Sequence, residues 1–145
     1  MSIERAESSA PSRSHYPARR AIPKPGDLEG VRVLVAEDEA IIAFELEAFL
    51  TEAGAIVIGP SYSLDDAMRH AGEDELSAAV LDIQLGHDTI APVARRLTER
   101  GIPFVFYSGQ IDNDPILAEW PQSMLVPKPA SPRVVVNALA ELLHV

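Results

Sequence analysis

VRVLVAEDE (Val31–Glu39) is an apolar run, broken only by Arg32, that gives way at once to three acids. A short apolar run closed by polar residues reads as a strand buried on both faces, the kind found in parallel sheets. The form returns in AAVLD (78–82), FVFYS (104–108) and MLVPK (124–128), so that Glu37 and Asp38, Asp82, Ser108 and Lys128 each stand where a strand gives out. In an open parallel α/β sheet the carboxyl ends of the strands gather at one edge, and ligands bind in the crevice there. Residues far apart in the chain are thus expected in one pocket holding three carboxylates, a hydroxyl and an ammonium.

The segments between these runs carry helical periodicity. Ile42, Leu46, Phe49, Leu50 and Ala53 fall on one helix face before Gly54. Ile56–Ile58 reads as a further strand, and Ser63 as the N-cap of a helix running to about Gly72. Helices are predicted over Ile90–Glu99, briefly over Pro115–Glu119, and from Pro132 to Leu143 with Val135, Leu139 and Leu142 inward. Five strands alternating with five helices define an α/β, doubly wound five-stranded parallel sheet. Right-handed crossovers place every carboxyl end on the same edge.

A chain of 145 residues with 47% hydrophobic content supports one domain with a real core. It contains no cysteine, which excludes disulfides and thiolate chemistry. No apolar run approaches the roughly 20 residues needed to span a bilayer, and the start lacks a hydrophobic signal core, so a cytoplasmic location without membrane insertion is expected. The formal charge of -10 opposes direct nucleic-acid binding, which depends on neutralising phosphates. Residues 1–30, rich in Ser, Pro, Arg and Ala and without period, read as a disordered N-terminal extension, leaving 31–145 as the folded domain.

Three close carboxylates repel one another and are stable together when a cation or proton offsets the repulsion. With oxygen donors alone, a hard cation such as Mg²⁺ is the natural choice, and it also takes phosphate oxygens. Asp82, on the central strand, is placed to be a nucleophile toward a phosphoryl group. Lys128 and the Ser108 hydroxyl would compensate the negative oxygens of the resulting acyl phosphate.

Through VLVAEDE (33–39), VLDIQLG (80–86), FVFYSG (104–109) and VPKP (126–129), the span 31–145 resembles the receiver domain of two-component response regulators, in the single-domain, chemotaxis-regulator-like form. The resemblance implies a flavodoxin-like (βα)5 fold with strand order 2-1-3-4-5. It implies phosphorylation of Asp82, with Lys128 and Ser108 assisting. Mg²⁺ would be held by Glu37, directly or through water, by Asp38 and Asp82, and by the backbone carbonyl of Gln84. A cis Lys128–Pro129 bond is implied too. The donor would be the phosphohistidine of a histidine kinase or histidine phosphotransfer protein. The acyl phosphate would then switch binding of a downstream protein target through the surface of the fourth helix, last strand and last helix. The protein would assist its own phosphorylation and dephosphorylation without being a turnover enzyme. A monomer is the default expectation, with dimerisation open, and no output domain is seen before Val145.

Two departures narrow the resemblance. Where many members carry a switching aromatic on the last strand, three residues before the lysine, this chain has Leu125. The interval from Gly109 to Gln122 is short and holds Pro115 and Pro121, so its helix is expected to be brief or distorted. His87 reads as an exposed loop residue, Gly86 as a turn residue, and Trp120 with Phe106 as core or partner contacts; His15, His70 and His144 lack ligand spacing. Two alternatives remain beside the signalling role. One is a receiver-like protein-binding module that is never phosphorylated; the other is a small Mg²⁺-dependent phosphatase, for which a separate acid or base near Asp82 is wanting.

Overall fold

The computed structural model describes residues 27–109 and 115–143. The readings placed on residues 1–26, including His15, and on His144 lie outside them. In chain order the elements are β1 (Arg32–Ala36), α1 (Ala40–Glu52), β2 (Ile56–Ser61), α2 (Leu64–Glu73), β3 (Ala78–Leu81), β4 (Gln84–Leu85), β5 (Asp88–Thr89), α3 (Ala91–Glu99), β6 (Phe104–Ser108), α4 (Pro115–Glu119), β7 (Met124–Pro127) and α5 (Pro132–Leu143). Five strands form a parallel sheet in the order β2-β1-β3-β6-β7. Counting these five alone, this is the expected 2-1-3-4-5 doubly wound order.

The apolar runs form strands because both of their faces are covered. Alternation sends Leu34, Ala36, Leu81, Phe104, Phe106 and Leu125 into one core beneath α2, α3 and α4. Val33, Val35, Val80, Val105 and Val126 go into the other, beneath α1 and α5. Each large side chain so buried contributes about 1.5 to 3 kcal/mol. As expected, the Ser63 side chain caps α2, accepting from the Asp66 N–H at 3.2 Å.

Three features differ from expectation. The packed body starts ahead of Val31: Leu28 is fully buried, and its N–H donates to the Ala53 carbonyl at 2.8 Å. β2 runs on to Ser61, with one extra residue opposite β1 between the pairs Leu34–Ile58 and Ala36–Ser61. Gly-Pro inside the run reads as a strand breaker, but β2 is an edge strand and accommodates it as a bulge around the cis Gly59–Pro60 bond. The third is an antiparallel hairpin, β4–β5, turning at Gly86 and His87 directly after the central strand. Gly86 has φ +64°, the left-handed conformation such two-residue turns require.

Candidate functional site

Main-chain hydrogen bonds continue past the strand ends and fix the polar residues at the carboxyl edge. The Glu37 N–H donates to the Ser61 carbonyl at 3.0 Å, the Asp82 N–H to the Ala36 carbonyl at 2.9 Å, and the Lys128 N–H to the Ser108 carbonyl at 3.0 Å. The side chains therefore leave a rigid frame. The β2 bulge is part of that frame, since it aims the Ser61 carbonyl at Glu37. Gly59, at φ +101°, has no room for a side chain: a Cβ there would lie 2.8 Å from the Ser61 nitrogen and 3.0 Å from the Val35 carbonyl oxygen.

Glu37, Asp38 and Asp82 converge, with one oxygen from each lying within 4.8 Å of the others. Lys128 Nζ sits 2.9 Å from Glu37 Oε1, 3.0 Å from Asp82 Oδ2 and 3.4 Å from Glu39 Oε1. Glu37 Oε1 is buried, and the Lys128 ammonium is the charge that lies beside it. Burial is the largest influence on Glu37 and, with Asp82 nearby, pushes its carboxyl up to about 7 although Lys128 pulls the other way. The Lys128 ammonium is held above its ordinary range: burial opposes its charge, but Glu37 and Asp82 outweigh burial.

Asp38 faces the same space from the exposed side, and its Oδ2 accepts from the Gly86 N–H at 2.8 Å, tying the hairpin turn to the acidic corner. The Gln84 N–H approaches Asp82 Oδ1 at 3.4 Å. Asp38, Asp82, Gln84, Ser108 and Lys128 line one cleft of about 620 Å³, together with Glu39, Tyr107, Pro129 and Ala130. The Lys128–Pro129 bond is cis.

Every residue expected at the site thus lies at one edge. His87 is exposed on the hairpin, and His70 on α2 pairs with Asp74 just past the end of that helix, apart from the cleft. Phe106 is buried, stacking edge-on with Phe104 and with the partly buried Trp120, which supports the core reading of that pair. Sequence reasoning missed Gly59 and Ser61, which hold Glu37 from behind, and the Gly86 N–H bound to Asp38. A turn led by glycine and flanked by apolar and polar pairs was the available signal for the last.

A cluster of carboxylate oxygens from three residues suits a hard cation. Acids, ammonium and hydroxyl at the carboxyl edge of a doubly wound sheet form the constellation of a phosphoacceptor module. No protein-family model matches the chain, and no curated protein sequence does. Solved structures do. A response regulator receiver protein from Sinorhizobium medicae WSM419 is 30% identical, with a TM-score of 0.69 over 80% of this chain and 96% of that one. The response regulator PhyR from Brucella abortus is 25% identical with a TM-score of 0.66, matching 79% of this chain but 48% of PhyR. The receiver domain of the sensor histidine kinase PA1611 from Pseudomonas aeruginosa PAO1, crystallised with a magnesium ion in its active-site cleft, is 18% identical with a TM-score of 0.67 over 79% of this chain and 97% of that one. The chain belongs to the receiver-domain family of response regulators, the phosphoacceptor modules of two-component phosphorelays, which are not turnover enzymes. Among the described residues no helix is long and apolar enough to cross a membrane.

Proposed function

We propose that this protein accepts a phosphoryl group on Asp82 from a phosphohistidine of a histidine kinase or histidine phosphotransfer protein. The observation that carries the reading is the contact of Lys128 Nζ with Asp82 Oδ2 at 3.0 Å, within a cluster of three carboxylates of which Asp38 and Asp82 line a cleft. In the transfer, an Asp82 oxygen forms a bond to phosphorus as the phosphorus–nitrogen bond of the donor breaks, and the released imidazole takes up a proton. Asp82 becomes an acyl phosphate. Lys128 supplies positive charge to the phosphoryl oxygens, and the Ser108 hydroxyl donates to one of them.

Glu37, Asp38, Asp82 and the Gln84 carbonyl would hold Mg²⁺, whose charge offsets that of the phosphoryl oxygens. The convergence of the three carboxylates supports this placement. The phosphorylated state then biases the surface of α4, β7 and α5, which a downstream protein reads. Position 125 on β7 is Leu and buried in the core, so displacement of Ser108, not an aromatic on β7, would carry that bias.

Intact-mass analysis after incubation with Mg²⁺ and acetyl phosphate tests the reading. A Mg²⁺-dependent gain of one phosphoryl group, labile at alkaline pH and absent in Asp82→Asn, is the expected outcome. If Asp82→Asn gains the same mass, another residue is the acceptor. If no adduct forms under conditions that label another receiver, the acidic cleft belongs to a constitutive binding module.

A further inference from the structure

Tyr107 precedes Ser108 on β6, and alternation turns the two side chains to opposite faces of the sheet. Tyr107 is 3% exposed on the α1/α5 side, an unusual place for a phenol among Val105, Val126 and Val136. A buried hydroxyl needs a partner, and this one donates to the carbonyl of Ala130. Ala130 lies two residues past Lys128, in the connection from β7 to α5. The face of the same ring lies 5.3 Å from Lys128 Nζ, within cation–π range. One side chain therefore holds the Lys128 segment at two points, the ammonium and the main chain just beyond it.

We propose that Tyr107 is a positioning residue for Lys128: its ring lies against the ammonium, and its hydroxyl fixes the segment that carries the lysine. The inference rests on the proposed phosphoacceptor role of Asp82. Glu37, Glu39 and Asp82 all draw the ammonium, and acids alone leave it free to slide among them. The ring restricts that motion. The hydroxyl bond does the same for the backbone, where the chain passes from the end of β7 through Pro129 to the start of α5. A displacement of about 1 Å at a reacting group costs up to about 100-fold in rate, so holding the lysine matters to transfer.

The test uses Tyr107→Leu, which removes ring and hydroxyl, and Tyr107→Phe, which keeps the ring. The chain has two lysines, Lys24 and Lys128, so lysine labelled with ¹³C at Cε gives a Lys128 resonance with Lys24 as internal reference. Phosphorylation by acetyl phosphate at saturating Mg²⁺, and Mg²⁺ affinity, are measured alongside. In Tyr107→Leu the Lys128 resonance is expected to move and the phosphorylation rate constant to fall about tenfold, with Mg²⁺ affinity within about twofold of wild type. Tyr107→Phe keeps the resonance near its wild-type position and loses less rate; it also serves if the leucine variant does not fold. A Lys128 resonance that stays put in folded Tyr107→Leu overturns the inference, as does a moved resonance with an unchanged rate. If the wild-type chain takes no phosphoryl group, the function reading is the one that fails, and the resonance alone still decides whether Tyr107 places the ammonium.

Discussion

At the carboxyl edge of the sheet the strands end in Glu37, Asp82, Ser108 and Lys128, with the Glu37, Asp82 and Lys128 side chains no more than 13% exposed. At the amino edge, Ile102, Pro103, Phe104 and Met124 meet Trp120 around a cleft of about 460 Å³. The same strands feed both edges. At one edge the Lys128 ammonium faces Glu37, Glu39 and Asp82 within 3.4 Å; at the other, the Phe104 and Trp120 rings meet edge-on at 6.2 Å and the indole N–H donates to Thr98 at 3.0 Å. Buried like charges cost stability, and buried aromatic surface supplies it. The amino edge thus stabilises a sheet whose carboxyl edge is held in a costly arrangement suited to binding charge.

The largest effect is expected at the amino edge. Phe104 is 8% exposed and touches both Phe106 and Trp120, so Phe104→Ala should cost about 3 to 5 kcal/mol in chemical denaturation. A loss below about 1 kcal/mol would mean that the aromatic cluster repacks around the gap, and that the amino edge is not the main support of the sheet.

A substitution at the carboxyl edge should act in the opposite sense. Glu37 is ionised only against the burial that raises its carboxyl to about 7, and Lys128 keeps Asp82 and Glu39 as partners without it. Glu37→Gln should therefore raise the stability of the Mg²⁺-free protein at slightly alkaline pH by about 1 to 2 kcal/mol. It should also diminish the stabilisation added by Mg²⁺. Urea unfolding of both proteins, each with Mg²⁺ and with chelator, reads the two effects. A Mg²⁺-free variant weaker than wild type would show that the Glu37–Lys128 pair is net favourable, and the contrast between the edges would narrow.

The carboxyl edge was legible in the sequence because each of its residues directly follows an apolar run, and topology does the rest. Asp82 and Lys128 needed no knowledge of packing to be brought together. The devices that aim them were not legible. Gln84–Thr89 is too short and too polar to show a period, although its hairpin holds Asp38 through Gly86. Gly59–Pro60 carries the local signal of a break, and only its place on an edge strand makes it a bulge. Tyr107 was counted as one more apolar residue of FVFYS, since no pattern in the sequence announces a hydroxyl bonded to Ala130. Strand ends are local information; what supports them from neighbouring strands is not.

The smallest effect sits behind Glu37, where the same edge has matched its charge. Asp66 accepts from the buried Ser61 hydroxyl at 2.8 Å and pairs with Arg69, and His70 Nε2 lies 3.7 Å away. The Ser61 hydrogen bond, ahead of Arg69 and His70, holds its carboxyl below the usual 3.8. A carboxylate with a depressed folded-state pKa binds protons less readily than in the unfolded chain. Its stabilisation is therefore present above pH 3.8 and lost as pH falls below that value. The Asp66 side chain is 37% exposed, and solvent screening limits the contribution to less than about 1 kcal/mol. Urea unfolding followed from about pH 5 to about pH 3 should show wild-type stability declining more steeply than that of Asp66→Asn. Parallel curves would remove Asp66 as a support of Ser61. Ser61 also gives its carbonyl to Glu37, so a neutral residue at 66 that loosened it would reach the acidic corner through the β2 bulge, with no contact to the acids themselves.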